Sequence, residues 1–169
     1  MKVLDEILAA VKARLEHRMK TRPFDQLKPP RQKLSLAKAI EHASGVPVIA
    51  EVKRASPSAG DIRPEADPVE IARSMVAGGA IGISVLTEQD YFKGDSLFLH
   101  KLASKVDVPL LMKDFVIHPY QLEEAFRLGA DAVLLIAKIL GNKLPEFVRK
   151  TQELGMEPLV EVTDEEELR

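Results

Sequence analysis

Five short apolar runs, at residues 48–53, 81–86, 110–113, 132–136 and 158–162, recur about 25–35 residues apart, with helical patterns in every interval. Strands separated by a helix cannot close tight antiparallel hairpins, so each interval carries the chain back for another parallel strand. This alternation confines the chain to the α/β class, with five βα units. The punctuation agrees. Asp67-Pro68-Val69-Glu70 reads as an N-cap, a proline at the first helical position and an acid at the third. Gly78-Gly79, Gly129 and Gly155 fall where helices must stop before the next strand.

Residues 1–46 precede the repeat and read as a helical extension, with residues 47–169 forming the α/β unit. Val3, Leu4, Ile7, Leu8, Val11 and Leu15 recur at helical spacing. Pro23, Pro29 and Pro30 interrupt that helix, and a second short one is expected over residues 34–43, stopped by Gly45 and Pro47. At the other end, Thr163-Asp164-Glu165-Glu166 has the form of a capping box, yet Arg169 follows about one turn later. One turn does not offset the cost of nucleating a helix, so the expectation is a chain cut short within its fold.

The chemistry gathers at strand ends. Side chains alternate along a strand, so Ile49, Glu51 and Lys53 share one face, Leu111 and Lys113 share one, and Leu159 and Glu161 share one. In parallel α/β folds the C-terminal ends of the strands are where sites are built. A charge at a strand end also meets solvent, and any one of Glu51, Lys53, Lys113 and Glu161 reads equally well that way. The four jointly read as a site. Arg54, Asp114 and Lys138 fall on the opposite phase or past the strand and read as structural or solvated. Tyr91-Phe92 and Phe115 follow the second and third runs, as a pocket wall or as ordinary helix–sheet packing. The loop at residues 54–62 reads as a lid or as a plain connector.

Composition narrows the function classes. Lys plus Arg (24) and Asp plus Glu (26) nearly cancel, which demotes nucleic acid as a partner. With no cysteine, disulfides, thiolate metal sites and cysteine nucleophiles are excluded. No run is long and apolar enough to cross a membrane, and the N-terminus carries acids where a secretory signal is apolar, so a cytoplasmic location is expected. His17, His42, His100 and His118 fall in helical patterns or at a helix start rather than in a metal-type cluster, and there is no GxGxxG. Neither a metal nor a cofactor is expected.

Glu51-Val52-Lys53-Arg54-Ala55-Ser56-Pro57-Ser58-Ala59-Gly60 closely resembles the first-strand signature of the indole-3-glycerol phosphate synthases. The resemblance continues through Ser84-Val85-Leu86-Thr87-Glu88, Tyr91-Phe92-Lys93-Gly94-Asp95 and Lys113-Asp114-Phe115, then residues 129–136 and 155–162. It implies a (β/α)8 TIM barrel, present in part, behind a helical extension. It also implies a carbon–carbon lyase of tryptophan biosynthesis, closing the indole ring of 1-(2-carboxyphenylamino)-1-deoxyribulose 5-phosphate with loss of carbon dioxide and water. Carried over by residue, Lys113 is the general acid of ring closure, and Glu161 with Glu51 handles protons in dehydration. Lys53 steers the substrate carboxylate or pairs with a glutamate. Ser56, Pro57, Phe92, Phe115, Leu134 and Ile136 line the pocket. Such barrels seat a substrate phosphate after strands seven and eight, so a five-strand chain is expected to be nearly inactive alone and to self-associate through open sheet edges. Two rivals stand beside this reading. One is another phosphate-binding barrel, such as phosphoribosylanthranilate isomerase. The other is a non-catalytic fragment rearranged into a flavodoxin-like doubly wound sheet, and strand order separates it from a barrel.

Overall fold

A computed structural model of the chain describes residues 2–21 and 28–168. Five parallel strands form one sheet: β1 (Ile49–Val52), β4 (Gly82–Leu86), β5 (Leu110–Lys113), β6 (Ala132–Ile136) and β7 (Glu157–Glu161). They lie in the order β1-β4-β5-β6-β7, each beside its successor. That order is the arc of a (β/α) barrel, and it overturns the doubly wound alternative, whose strand order departs from chain order. Two further strands, β2 (Ala55–Ser56) and β3 (Gly60–Asp61), pair antiparallel as a small hairpin directly after β1. The loop at residues 54–62 is therefore this hairpin, tied back where Arg54 C=O accepts from the Ile62 and Arg63 amides.

Helices α3 (Pro68–Ala77), α4 (Leu97–Ala103), α5 (Pro119–Leu128) and α7 (Leu144–Glu153) fill the crossovers. A short α6 (Ala137–Leu140) and a 3-10 turn at Gly141–Lys143 lead into α7. The sequence signals act as read. The Asp67 carboxylate accepts from Val69 N–H at 3.0 Å, with Pro68 in the first turn of α3. His118 caps α5, its ring accepting from Tyr120 N–H while the Gln121 side chain accepts from His118 N–H. Gly129 ends α5 at φ 96°, a left-handed turn that side-chain-bearing residues resist. The cap of the last helix, α8 (Glu165–Leu168), differs by one residue from expectation: Asp164, not Thr163, accepts the helix amide, that of Glu167. Asp164 offers a carboxylate within reach, and the Glu167 side chain in turn takes Thr163 N–H.

The strands carry two apolar layers of different size. Outward-facing Val52, Ile83, Val85, Met112, Val133 and Leu135 join buried helix residues such as Leu99, Leu102, Leu122 and Phe147 in the main core. Inward, a smaller cluster of Leu111, Ala132 and Leu134 packs with Leu36. Leu36 opens α2 (Leu36–Glu41), whose Ser35 cap accepts from Lys38 N–H. The strand facing it has no side chain to spare: a Cβ on Gly82 would stand 3.0 Å from Leu36 Cδ1. α2 thus plugs the N-terminal end of the arc, and the inner face is free only at the other end.

α1 (Lys2–Thr21) buries Ile7, Val11 and Leu15 on one stripe, while Val3 is half exposed. It docks by polar contacts to the segment after β4 and to α5: Arg14 with Asp90 and Gln89, and Arg18 with buried Glu124. Pro23 and Arg169 lie outside the described residues. No helix among the described residues is long and apolar enough to cross a membrane.

Candidate active site

Strand register decides which of the alternating charges meet. Glu51 on β1 is paired with Ser84 on β4, Leu86 on β4 with Lys113 on β5, and Ile136 on β6 with Glu161 on β7. In a parallel sheet paired residues face the same side. Glu51, Lys113 and Glu161 therefore all project from the inner face, and Lys53, one residue past β1, continues the same phase. The strands β1 and β5 that carry Glu51 and Lys113 are buried or half-buried along their length, whereas β7, which carries Glu161, is exposed over its last three residues.

Two lysines converge on one carboxylate. Lys53 Nζ donates to Glu51 Oε1 at 2.7 Å, and Lys113 Nζ donates to Glu51 Oε2 at 2.9 Å. Burial acts to raise the Glu51 pKa, but the hydrogen bonds and charges of Lys53 and Lys113 more than offset it, leaving the carboxyl below its usual range. Glu51 thus stays ionised and holds two amines at the same wall.

That wall bounds a cavity of about 220 Å³. Lys53, Lys113 and Glu161 line it, together with Phe92, Phe115, Leu134 and Ile136. The two rings stand 6.3 Å apart between centroids, tilted by 38°. The lining combines two ammonium groups and the Glu161 carboxylate with apolar and aromatic side chains, which suits a planar aryl group carrying an anionic substituent. Among the described residues Glu161 makes no ion pair, and it is exposed at the end of β7. Among the described residues no cluster of His, Asp and Glu is placed to hold a metal ion.

Ser56 and Pro57 stand apart from this group. They sit on the β2–β3 hairpin, where Ser56 Oγ accepts from Ala59 N–H, and neither lines the cavity. Three residues outside the sequence-derived set do line it: Leu86, Glu88 and Asp114. Leu86 and Glu88 were accessible to the alternation argument, since they extend the inward phase of Ser84 by two and four residues. Of the two readings open for Asp114, structural or solvated, the structural one holds: it is buried, at 7% exposure, and accepts from Thr87 Oγ1 at 2.6 Å and from Phe115 N–H at 2.8 Å. Burial pushes its carboxyl pKa up, against the opposing effects of Thr87, Arg18 and the Phe115 amide. Arg54 lies 5.5 Å over the Phe98 ring, a packing role, and Lys138 is exposed.

The sequence profile of the indole-3-glycerol phosphate synthase family matches residues 4–169. The indole-3-glycerol phosphate synthase of Carboxydothermus hydrogenoformans is 50% identical over 139 residues, covering 80% of this chain and 53% of the relative. That of Streptomyces griseus is 44% identical over 171 residues, covering 99% and 64%. The Pyrococcus furiosus enzyme of the same name is 46% identical over 134 residues, covering 79% and 59%. The chain spans between half and two-thirds of the length of these curated relatives. Among solved structures, a mandelate oxidase superposes with a TM-score of 0.50 at 12% identity, covering 72% of this chain and 44% of that one, a likeness of fold alone.

Proposed function

The chain belongs to the indole-3-glycerol phosphate synthase family, and from that membership we propose that its cavity carries out the acid–base chemistry of indole ring closure in tryptophan biosynthesis. The substrate is 1-(2-carboxyphenylamino)-1-deoxyribulose 5-phosphate. One observation carries the reading: Glu51, itself outside the lining, bridges Lys53 and Lys113, two cations that line a cavity together with Glu161 and the Phe92–Phe115 pair.

The aryl ring lies against the aromatic wall, with its carboxylate toward Lys53. As the ring carbon bonds to the ketone carbon, Lys113 donates a proton to the ketone oxygen, so that charge never accumulates there. The carboxyl group leaves as carbon dioxide, and its bonding electrons return to the ring. Dehydration then removes the hydroxyl as water; a carboxylic acid supplies one proton and a carboxylate removes another from the ring system. Glu161 and Glu51 take these parts. The ion pairs of Glu51 fix both lysines in place before substrate arrives, which lowers the cost of ordering them during reaction.

The same reading assigns the protein a small phosphorylated substrate and a cytoplasmic location. It also assigns self-association to the exposed edges of β1 and β7. The direct test is to mix purified protein with the substrate and follow indole-3-glycerol phosphate by fluorescence, alone and with the C-terminal third of the Streptomyces griseus relative added. Turnover in either arm that drops by about 10²-fold or more in Lys113→Ala supports the assignment. Turnover indifferent to Lys113→Ala and Glu161→Gln defeats it.

A further inference from the structure

The segment after β4 is wound around one side chain. Glu88 is buried, at 4% exposure, and lines the cavity. Its carboxylate nevertheless addresses its own loop: Oε1 accepts from Asp90 N–H at 2.9 Å, and Oε2 accepts from Tyr91 N–H at 2.8 Å and Phe92 N–H at 3.1 Å. The Glu88 carbonyl takes a fourth amide, that of Gly94, at 2.7 Å. The turn closes only over glycine, since a Cβ on Gly94 would stand 2.4 Å from Leu86 O and 2.7 Å from Glu88 O. Its product is the placement of Phe92 opposite Phe115.

The other ring is mounted similarly. Asp114 accepts from Phe115 N–H, and Gln121 Nε2 donates to Phe115 O at 3.0 Å. The two mounts are joined by Thr87 Oγ1 donating to Asp114 Oδ2. A bare carboxylate on this wall would repel a substrate bearing a carboxylate and a phosphate. Three backbone N–H groups instead occupy the charge of Glu88, so it adds to the wall without serving as a free acid or base.

We propose that Glu88 is a positioning residue for the aryl end of the substrate, acting through Phe92 by building the turn that seats Phe92 beside Phe115 in the aromatic wall of the cavity. The inference rests on the function proposed above. Its test uses the full chain, with anthranilate as an intrinsically fluorescent probe of that wall and NMR as a readout that needs no ligand. In Glu88→Ala the amides of Asp90, Tyr91 and Phe92 exchange faster, the Phe92–Phe115 ring-to-ring NOE is lost, and the anthranilate Kd rises about tenfold. Glu88→Gln keeps an oxygen acceptor, folds as the parent does and recovers part of that affinity. Where turnover is measured, KM rises while kcat and the shape of the pH profile hold. An intact NOE in Glu88→Ala, equal anthranilate affinity in Glu88→Ala and wild type, or loss of a limb of the pH profile in Glu88→Gln overturns the inference. Wild-type protein that binds no anthranilate overturns the proposed function together with the aryl assignment of the aromatic wall; equal binding by wild type and variant overturns the inference alone.

Discussion

Glu51 holds three facts together at the scale of one residue. It is half-buried, it faces two ammonium groups, and its pKa is depressed although burial alone raises it. A carboxyl with a depressed folded-state pKa contributes stability that is present above its unfolded value, near 4.5, and lost as pH falls through the folded value. Glu51→Gln should therefore flatten the acid side of a stability profile measured by urea unfolding between about pH 3 and pH 7. It should also cut turnover by about 10²-fold, because both lysines lose their anchor. Asp114 has the opposite sign. Its raised pKa means that its favourable contribution is full in acid and is lost as pH rises through the folded value. Asp114→Asn should remove that loss, so that the stability of the variant relative to wild type increases as pH rises from acid to neutral. A relative stability that falls over that range would contradict this.

Among the elements, local signals suffice wherever one residue type answers one backbone need. Asp67 and His118 cap helices, and Gly129 supplies a left-handed turn. Side-chain alternation puts Glu51, Lys113 and Glu161 in matching phase, and the strand register turns that phase to the inner face. The failures share a different cause. The shift of the α8 cap from Thr163 to Asp164 turns on which of two adjacent acceptors reaches an amide, and sequence form fits both. The turn around Glu88 leaves no signal of this kind, because a glutamate collecting backbone amides has no compositional mark. Its dependence on Gly94 gives a test. Gly94→Ala pushes a Cβ against two carbonyl oxygens of fixed backbone, and should cost about 2 kcal/mol or more by urea unfolding. It should also separate Phe92 from Phe115. Gly45→Ala, with nothing within 4 Å of its Cβ, serves as the control.

For the molecule as a whole, the edge strands of the sheet among the described residues are β1 and β7. Apolar side chains stand exposed near both: Val46 at 87% and Val48 at 51% by β1, with Leu159, Val160 and Val162 between 36% and 39% by β7. Flat, exposed strand edges recruit further strands, and net charge of only −2 does little to oppose it. Sedimentation velocity should show concentration-dependent association that Val160→Lys reduces. A clean monomer at high concentration would contradict the expectation. The base is closed differently. Asp131 collects Arg31, the Leu34 amide and the Leu110 amide, strapping the segment before α2 beneath β5 and β6.

The sequence by itself determined the α/β class, the number of parallel strands and the inward phase of their ionisable ends. These follow from periods of two and 3.6, which are properties of the local backbone. Only the tertiary structure decided which charges touch. Glu51 and Lys113 are 62 residues apart, and their contact depends on β4 lying between β1 and β5 in fixed register. It likewise decided that Ser56 and Pro57 stand away from the cavity while Glu88 and Asp114 enter it. Where a loop folds back is set by hydrogen bonds between groups that no alternation pattern relates, and those become visible only once the strands have brought them together.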